Sequence, residues 1–505
     1  MNLPEIYFNE DGSLNEKGGM DVVVGNPPWE KWKPADDDFF NPYAPDVFTD
    51  RKKVKKQVKE QAKRKVLQNS RINEKYEQYK ERYALGSKYF KDNDNYRYQS
   101  WKVNNKSTGG DRNLYILALE RFTQLAKPDL DAAILVPDNL VTDAGTTGIR
   151  HLLFDNYRVN EFLSFDNGKG IFESVHRSYK FAVLAFDGEE RSTSELKTFF
   201  YKRDLEDLNK ESEKIPYSIN IIKKYSPEEY ALFEPKDIDE YHAYIKIRDK
   251  FEKIGERDLF NLSNDFHKTN DSKLFRPYNK DKDNLVPLYE GKFMHQFVIK
   301  PDEITEGIDR EVVANKIGDD LNEYRLAIRT IASATNMRTL VATLLPPMTT
   351  AVNSLHVQRN SKEVSLPNKL FYLGMLNSYI LDFSLRTLVT TNINKKYLIQ
   401  LPMPLSKEVD CADDIILLTK ELLKENTGYY QDLDELVPGD KYQGLDHDKL
   451  VAKLNALVML EFGLNRQEIL KIMDSFKSAK HTKDVEDMTQ LIIDEIQEVG
   501  EQDGQ

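Results

Sequence analysis

The chain has 505 residues, 40% hydrophobic, 31% charged and 11% aromatic, which calls for two to four compact units and excludes wholesale disorder. No stretch approaches the roughly 18 uncharged apolar residues of a membrane helix, and the start, MNLPEIYFNEDG, lacks the basic patch and apolar run of a secretory signal, so a cytoplasmic protein is expected. A single cysteine, Cys411, excludes an internal disulfide or thiolate metal cluster, and eight scattered histidines show no ligand spacing, so no metal is expected.

The net charge of −12 hides an uneven distribution. From Arg51 to Lys91 there are 15 Lys or Arg against 4 Glu or Asp, which leaves the rest of the chain at −23. Phosphate contacts depend on local clusters and not on the sum, so an acidic average does not exclude DNA. Asp484 to Gln505 carries 8 acidic residues and no basic one, and is expected to be a solvated helix or frayed tail without chemistry.

In chain order, Asp21-Val22-Val23-Val24-Gly25 reads as a buried parallel strand ending in a rigid loop, Asn26-Pro27-Pro28-Trp29. The stretch from about Asp50 to Tyr89 predicts one or two long inserted helices. A helix over Asn113 to Phe122, a buried strand over Asp131 to Pro137, a helix near Thr147 to Phe154, a strand over Val159 to Phe165 and an apolar run over Phe181 to Phe186 follow, with the turn Asn167-Gly168-Lys169-Gly170 before the last. This strand-helix-strand rhythm predicts an α/β, doubly wound sheet.

Beyond Asp187 the text turns charged and Tyr-rich. We expect a first domain over 1–190 with its basic helical insertion at about 50–105, a linker over 191–245, an α+β domain over 246–405, helices over 406–483 and an acidic tail over 484–505. In the α+β domain Leu285 to Tyr289, Phe293 to Ile299, Ala327 to Ala332 and Thr339 to Leu344 read as strands, and Leu370 to Leu388 as an apolar helix.

Asn26-Pro27-Pro28-Trp29 is the most informative tetrapeptide. Ligands of open α/β sheets sit outside the carboxyl ends of strands, where this loop is placed. Two prolines stiffen the backbone, so that Asn26 Oδ1 and the Pro27 carbonyl can be held close together as acceptors. Such a pair suits an exocyclic amine, whose lone pair is then turned out of conjugation, while Trp29 offers a face for a planar base. The plainer reading is a proline-stiffened loop with a buried tryptophan.

Here the chain resembles a family. DVVVGNPPW, ILVPDNLVTDAGTTGIR and FLSFDNGKGIFESVHRSYKFAVLAF look like the catalytic blocks of adenine-specific DNA methyltransferases, in particular the large type IIG restriction-modification enzymes and related phage-defence methylases. LYEGKFMHQF, RTIASATNMRTLVATLLPP and TNINKKYLIQLPMP are similar to their target-recognition domain, and DKLVAKLNALVMLEFGLNRQEILKIMDSF to their closing helices. The resemblance implies a partial Rossmann-like methyltransferase sheet, an α+β target-recognition domain and C-terminal helices. It also implies adenine-N6 methylation of double-stranded DNA, with Asn26, Pro27, Pro28 and Trp29 gripping a flipped adenine and S-adenosyl-L-methionine giving the methyl. Phe172 would stack on the opposite face, with His176 and Tyr179 as alternatives.

The chain departs from that pattern in one respect. The cofactor's Gly-rich turn should lie upstream of the Asn-Pro-Pro-aromatic loop, yet only 25 residues precede Asn26 and no GxGxxG occurs. We therefore expect a fragment, a split subunit or a decayed gene, with an N-terminal methyltransferase half or a nuclease on another polypeptide, and a sheet edge that a partner must cover. A non-catalytic DNA-specificity subunit is the alternative. Candidates for DNA contact are Lys52, Lys53 and Lys56 in the basic helices, with Tyr76, Tyr79, Tyr83 and Tyr89 interleaved, and Arg276, Lys292, His295, Arg338, Asn392, Lys395 and Lys396 in the α+β domain. Asp187, Glu195 and Lys197 fit a nuclease pattern only formally.

Overall fold

The computed structural model describes the chain except residues 1–3, 16–17, 50–53, 104, 108–111, 190–191, 280–283, 333–335, 390–391, 426–427, 479 and 503–505. It divides into two compact units, Met1–Ile238 and Asp239–Gln505.

Unit 1 is built on strands β1 (Met20–Gly25), β2 (Ala126–Pro137), β3 (Tyr157–Asp166), β4 (Lys180–Glu189), β5 (Glu195–Lys202) and β6 (Ile215–Ser218). They form one sheet in the order β1-β2-β4-β3-β5-β6. Strands β1, β2, β3 and β5 point one way, while β4 and β6 run against their neighbours. The sheet is thus mixed, within the expected α/β class. The segment 167–179 between β3 and β4 contains no α-helix to carry a crossover, so the two strands close as a hairpin. The segment expected as a linker supplies β5 and β6.

The pleat sorts the side chains of this sheet into two unequal faces. On one, Val23, Ala132, Ile134, Val136, Leu184 and Phe186 are all buried, and Phe122 of helix α3 (Leu114–Leu125) lies over Gly25. On the other, register aligns Val24 with Ala133 and Ala185, and Leu135 with Val183. Here Val22 and Val24 are 59% and 77% exposed, and Ala133, Leu135, Val183 and Ala185 are only half-buried. Strand β1 is an edge, paired among the described residues with β2 alone.

The basic stretch forms α1 (Lys56–Leu67) and α2 (Ser70–Asp92). Their inner side packs Phe40, Phe48 and Tyr76 with Phe39 and Tyr79, and Trp32 donates its indole N–H to the Tyr83 carbonyl at 3.1 Å. Gly86 is required there, since a Cβ would stand 2.5 Å from Trp32 Cζ2. Helix α4 (Thr147–Asn156) precedes β3, and its Arg150, 1% exposed, donates to the carbonyls of Leu140, Asp143 and Glu229.

Unit 2 contains two four-stranded sheets. One joins β8 (Leu285–Tyr289) and β9 (Glu306–Asp309) with the short strands Arg276–Pro277 and Thr350–Ala351; the other orders β11 (Ala342–Leu345), β10 (Arg325–Arg329), β12 (Leu355–Arg359) and β7 (Asn261–Ser263). Arg325 and Asp265, 1% and 0% exposed, pair at 3.0 Å, and Arg325 also donates to the Thr349 carbonyl. Helix α5 is Arg310–Ile317, and the expected apolar helix is split at Asn377 and Ser378 into α6 (Leu366–Leu376) and α7 (Tyr379–Arg386).

Helices α8 (Ala412–Lys424), α9 (His447–Glu461), α10 (Arg466–Asp474) and α11 (Thr482–Gln502) complete the same unit, so 406–483 is not separate from the strands before it. The acidic segment is a helix, one of the two forms expected of it, but it is not wholly solvated. It is α11, docked through buried Val485, Ile492 and Ile493, with Glu495 paired to Lys453 of α9. Among the described residues no helix is long and apolar enough to cross a membrane.

Candidate functional site

The loop Asn26-Pro27-Pro28-Trp29 leaves the carboxyl end of edge strand β1. Asn26 and Pro28 are exposed, Pro27 is buried and Trp29 is half-buried. Among the described residues, neither the Asn26 side chain nor the Pro27 carbonyl takes part in a hydrogen bond. The loop's exit is fixed by Leu114 N–H donating to the Glu30 carbonyl at 2.8 Å and Trp32 N–H donating to the Arg112 carbonyl at 2.6 Å. Two acceptors therefore stand unengaged on a backbone that prolines and a short ladder hold still.

Trp29 packs on the half-open face of the sheet, against a cluster formed by Leu163, Phe165, Phe181 and Phe199. It is not sealed within that cluster. Its indole N–H is buried without a hydrogen-bond partner, an unmet donor that costs on the order of 1–3 kcal/mol.

The connection between β3 and β4 returns to the same end of the sheet. Its organiser is Asn167, fully buried, whose Nδ2 donates to the carbonyls of Phe172 and Val175 at 3.1 and 3.0 Å while Oδ1 accepts from Phe172 N–H at 2.9 Å. Gly170 turns the chain in the left-handed region at φ 79°. Phe172 is thereby presented 36% exposed, with its ring edge-on to Phe181 at 4.9 Å. Phe181 belongs to the cluster under Trp29, so one apolar platform carries both aromatic side chains. His176 and Tyr179 are exposed on the same loop.

A titratable group lies at this end of the sheet as well. Asp138 follows the last residue of β2, and burial pushes its carboxyl up to about 6 against the opposing attraction of Lys180. Lys180 Nζ lies 3.4 Å from Asp138 and 3.5 Å from Glu234, and Tyr201 O–H donates to Glu234 at 2.8 Å. Sequence reading missed Asn167, Asp138 and Lys180. The Asn-Gly turn and the proline ending β2 marked their places, but not their partners.

The expected DNA-contact residues are dispersed. Lys52 and Lys53 lie outside the described residues; Lys56 is exposed at the start of α1. Farther along α1 the basic charge is partly spent, because Asp37 and Asp36 pair with Lys59 and Lys63 at 2.9 and 2.6 Å. Tyr76, Tyr79 and Tyr83 pack inward, whereas Tyr89 is exposed. Exposed Arg276 donates to the carbonyls of Lys273 and Phe275, and Lys292 lies 3.2 Å from Glu290. His295 is exposed, and partial burial pulls its imidazole below the usual range.

Arg338 is half-buried. It is drawn into the unit by Asp382 at 2.8 Å and the Asn377 carbonyl at 2.6 Å, over the Tyr379 ring, and does not stand free to read bases. Asn392, Lys395 and Lys396 are exposed, with Lys396 over the Tyr397 ring. The formal nuclease triple is not assembled: Asp187 pairs with Arg158, and Lys197 with Glu211. No group of His, Cys, Asp and Glu suited to a metal occurs among the described residues.

No protein-family model matches the chain, and no curated protein does. Partial likeness is found to solved restriction-modification enzymes. The type IIL enzyme MmeI in complex with DNA is 11% identical with a TM-score of 0.41, over 75% of this chain and 53% of that one. The type IIG restriction endonuclease BpuSI is 13% identical at 0.31, over 77% and 49%. A nuclease-deletion mutant of the type ISP enzyme LlaGI, in complex with a DNA substrate mimic, is 10% identical at 0.41, over 81% and 35%. The chain thus spans about half the length of the first two, and likeness at this level assigns it to no family.

Proposed function

We propose that unit 1 is the adenine-gripping side of a DNA adenine-N6 methyltransferase, and that unit 2 reads the target site, within a restriction-modification or phage-defence system. The observation that carries this reading is the pair of unengaged acceptors, Asn26 Oδ1 and the Pro27 carbonyl, beside a half-buried Trp29 that shares its platform with Phe172. An extruded adenine entering there places its ring against Trp29. Its N6 amine donates one hydrogen to each acceptor. That geometry would turn the N6 lone pair out of conjugation with the ring and set positive charge on that nitrogen against two oxygen dipoles. Extrusion costs a few kcal/mol of stacking, which contacts to the flipped base must offset.

S-adenosyl-L-methionine is the donor that the sequence resemblance implies, and the described residues do not fit it. No GxGxxG turn is present in the sequence, no further strand pairs with β1 among the described residues, and Val22 and Val24 stand exposed on the half-open face beside that edge. No step is derived through that group. The reading therefore includes a partner, on the same or another polypeptide, that pairs with β1 and covers Val22 and Val24.

The same misfit favours a second reading, a non-catalytic subunit that specifies a DNA site for a partner enzyme. The test is methyl transfer onto unmethylated plasmid DNA by the chain alone and together with the products of its neighbouring genes, comparing wild type with Asn26→Ala. Transfer by the wild-type assembly and at least a hundredfold loss in Asn26→Ala is expected. Full activity of Asn26→Ala in the assembly would refute the grip and favour the specificity role.

A further inference from the structure

Unit 2 holds a polar cleft of about 450 Å³ whose walls include Lys316, Arg359 and Lys395, with Asn261 and Asp320. The three cations come from separate places in the sequence, the last turn of α5, the end of β12 and the helical turn Lys395–Leu398. Among the described residues Asp320 is the one carboxylate on the wall, and both its oxygens are used by backbone: Oδ1 accepts from Ser361 N–H at 2.7 Å and Oδ2 from Asn360 N–H at 3.1 Å. It anchors a loop and does not pair tightly with the cations.

Those cations are correspondingly under-compensated. Arg359 Nη2 donates to the Lys316 carbonyl at 3.2 Å, but Nη1 stands 3.8 Å from Asp265 and from Asp320, too far for a hydrogen bond. Asp265 is already committed to Arg325 and to the Thr350 hydroxyl. Among the described residues Lys395 Nζ donates to Asn261 Oδ1 alone, at 3.2 Å, which leaves the Asn261 amide N–H groups for another acceptor. Lys316 is exposed and has no acidic partner among the described residues. Three positive charges thus line a concave polar wall beside Asp320, with Asp265 behind Arg359 already paired with Arg325, a balance that favours an anionic occupant.

We propose that this cleft binds a phosphate group, with Arg359 fixing its orientation through the fork geometry of the guanidinium and Lys316 and Lys395 supplying charge from either side. The cleft is larger than a bare phosphate needs, so an attached sugar fits beside it. The phosphate belongs either to the backbone of a nucleic acid or to a phosphomonoester. Only the backbone source rests on the assignment of DNA reading to unit 2; the phosphate site itself does not.

The experiment uses the full chain, wild type and Lys316→Gln/Lys395→Gln, two exposed positions whose replacement leaves the core intact, with thermal melting to establish that both are folded. Binding is followed for a mixed-sequence duplex without terminal phosphates at several salt concentrations, and separately for pyrophosphate and adenosine monophosphate. A backbone phosphate predicts that the double variant binds duplex about tenfold or more weakly, with the slope of log affinity against log salt reduced by up to about two. A phosphomonoester source predicts loss of pyrophosphate and nucleotide binding with duplex binding unchanged. Wild-type binding of the small phosphates without duplex binding would sink DNA reading by unit 2 and keep the site. A folded double variant matching wild type with all three probes, or a wild type that binds none of them, overturns the proposal.

Discussion

Asn167→Ala should free the loop that presents Phe172 while leaving the sheet in place. Asn167 is 0% exposed and makes three hydrogen bonds, two from its amide to the carbonyls of Phe172 and Val175 and one to its oxygen from Phe172 N–H. A net contribution of about 1 kcal/mol each gives about 3 kcal/mol in favour of the closed loop. Opening this loop exposes the three backbone groups to water, so the loss falls on local and not global stability. Hydrogen exchange of the amides from Gly170 to Tyr179 should therefore quicken by roughly a hundredfold, with those of β3 and β4 unchanged. Asn167→Asp sharpens the test, since it keeps the acceptor for Phe172 N–H yet sets a carboxylate against two carbonyl oxygens. It should free the loop at least as much as alanine. Unchanged exchange in both variants would mean that Asn167 does not organise the loop.

Gly86→Ala would drive a methyl to within 2.5 Å of the Trp32 ring, and should lower the melting stability by about 1–3 kcal/mol, with altered tryptophan fluorescence; an unshifted melt would contradict the packing of α2 on Trp32. Asp138 binds its proton more tightly folded than unfolded, because burial raises its carboxyl from 3.8 to about 6. Its contribution to stability is therefore best below pH about 4, falls as pH rises to about 6 and is constant above, a difference of about 3 kcal/mol. Asp138→Asn should flatten that slope and stabilise the protein at pH 7, and parallel stability profiles would refute it. Val22→Ser/Val24→Ser should change thermal stability by under about 0.5 kcal/mol, since both side chains are already exposed, yet weaken co-sedimentation with the proposed partner; a large stability loss would show that this face is covered within the chain. Asp265→Ala strands Arg325 without its partner and should cost about 3–5 kcal/mol in chemical denaturation.

Strands β1 to β4 were legible because each is an apolar run closed by a turn residue, a signal carried by neighbours in sequence. Their directions were not. Nothing within Phe181–Phe186 records that β4 runs against β2 and β3; that follows from the missing crossover helix in 167–179. Strand β5 escaped notice because Glu195, Lys197 and Lys202 interrupt the apolar residues, and the two lysines find partners in Glu211 and Glu213, beyond any local window. The acidic helix α11 was masked in the same way, its stripe of Val485, Ile492 and Ile493 outweighed by composition.

Charge was the least faithful guide to function for the same physical reason. A count of lysines over Arg51 to Lys91 leaves out Asp36 and Asp37, which fold against α1 and engage Lys63 and Lys59, so the segment presents less free charge than its sequence holds. Arg338 looked available until Asp382, which meets it across the fold, is taken into account. Lys395 carries the converse lesson. By itself it is an ordinary surface lysine, and it acquires a role only because the fold brings Lys316 and Arg359 to the same wall while Asp320 is engaged by backbone N–H groups. A cation's use is set by which anions the fold leaves free near it, and that quantity belongs to the tertiary structure. The Asn-Pro-Pro-Trp loop was legible as a stiff strand-end loop for the opposite reason: its prolines, its acceptors and its ring all come from adjacent residues.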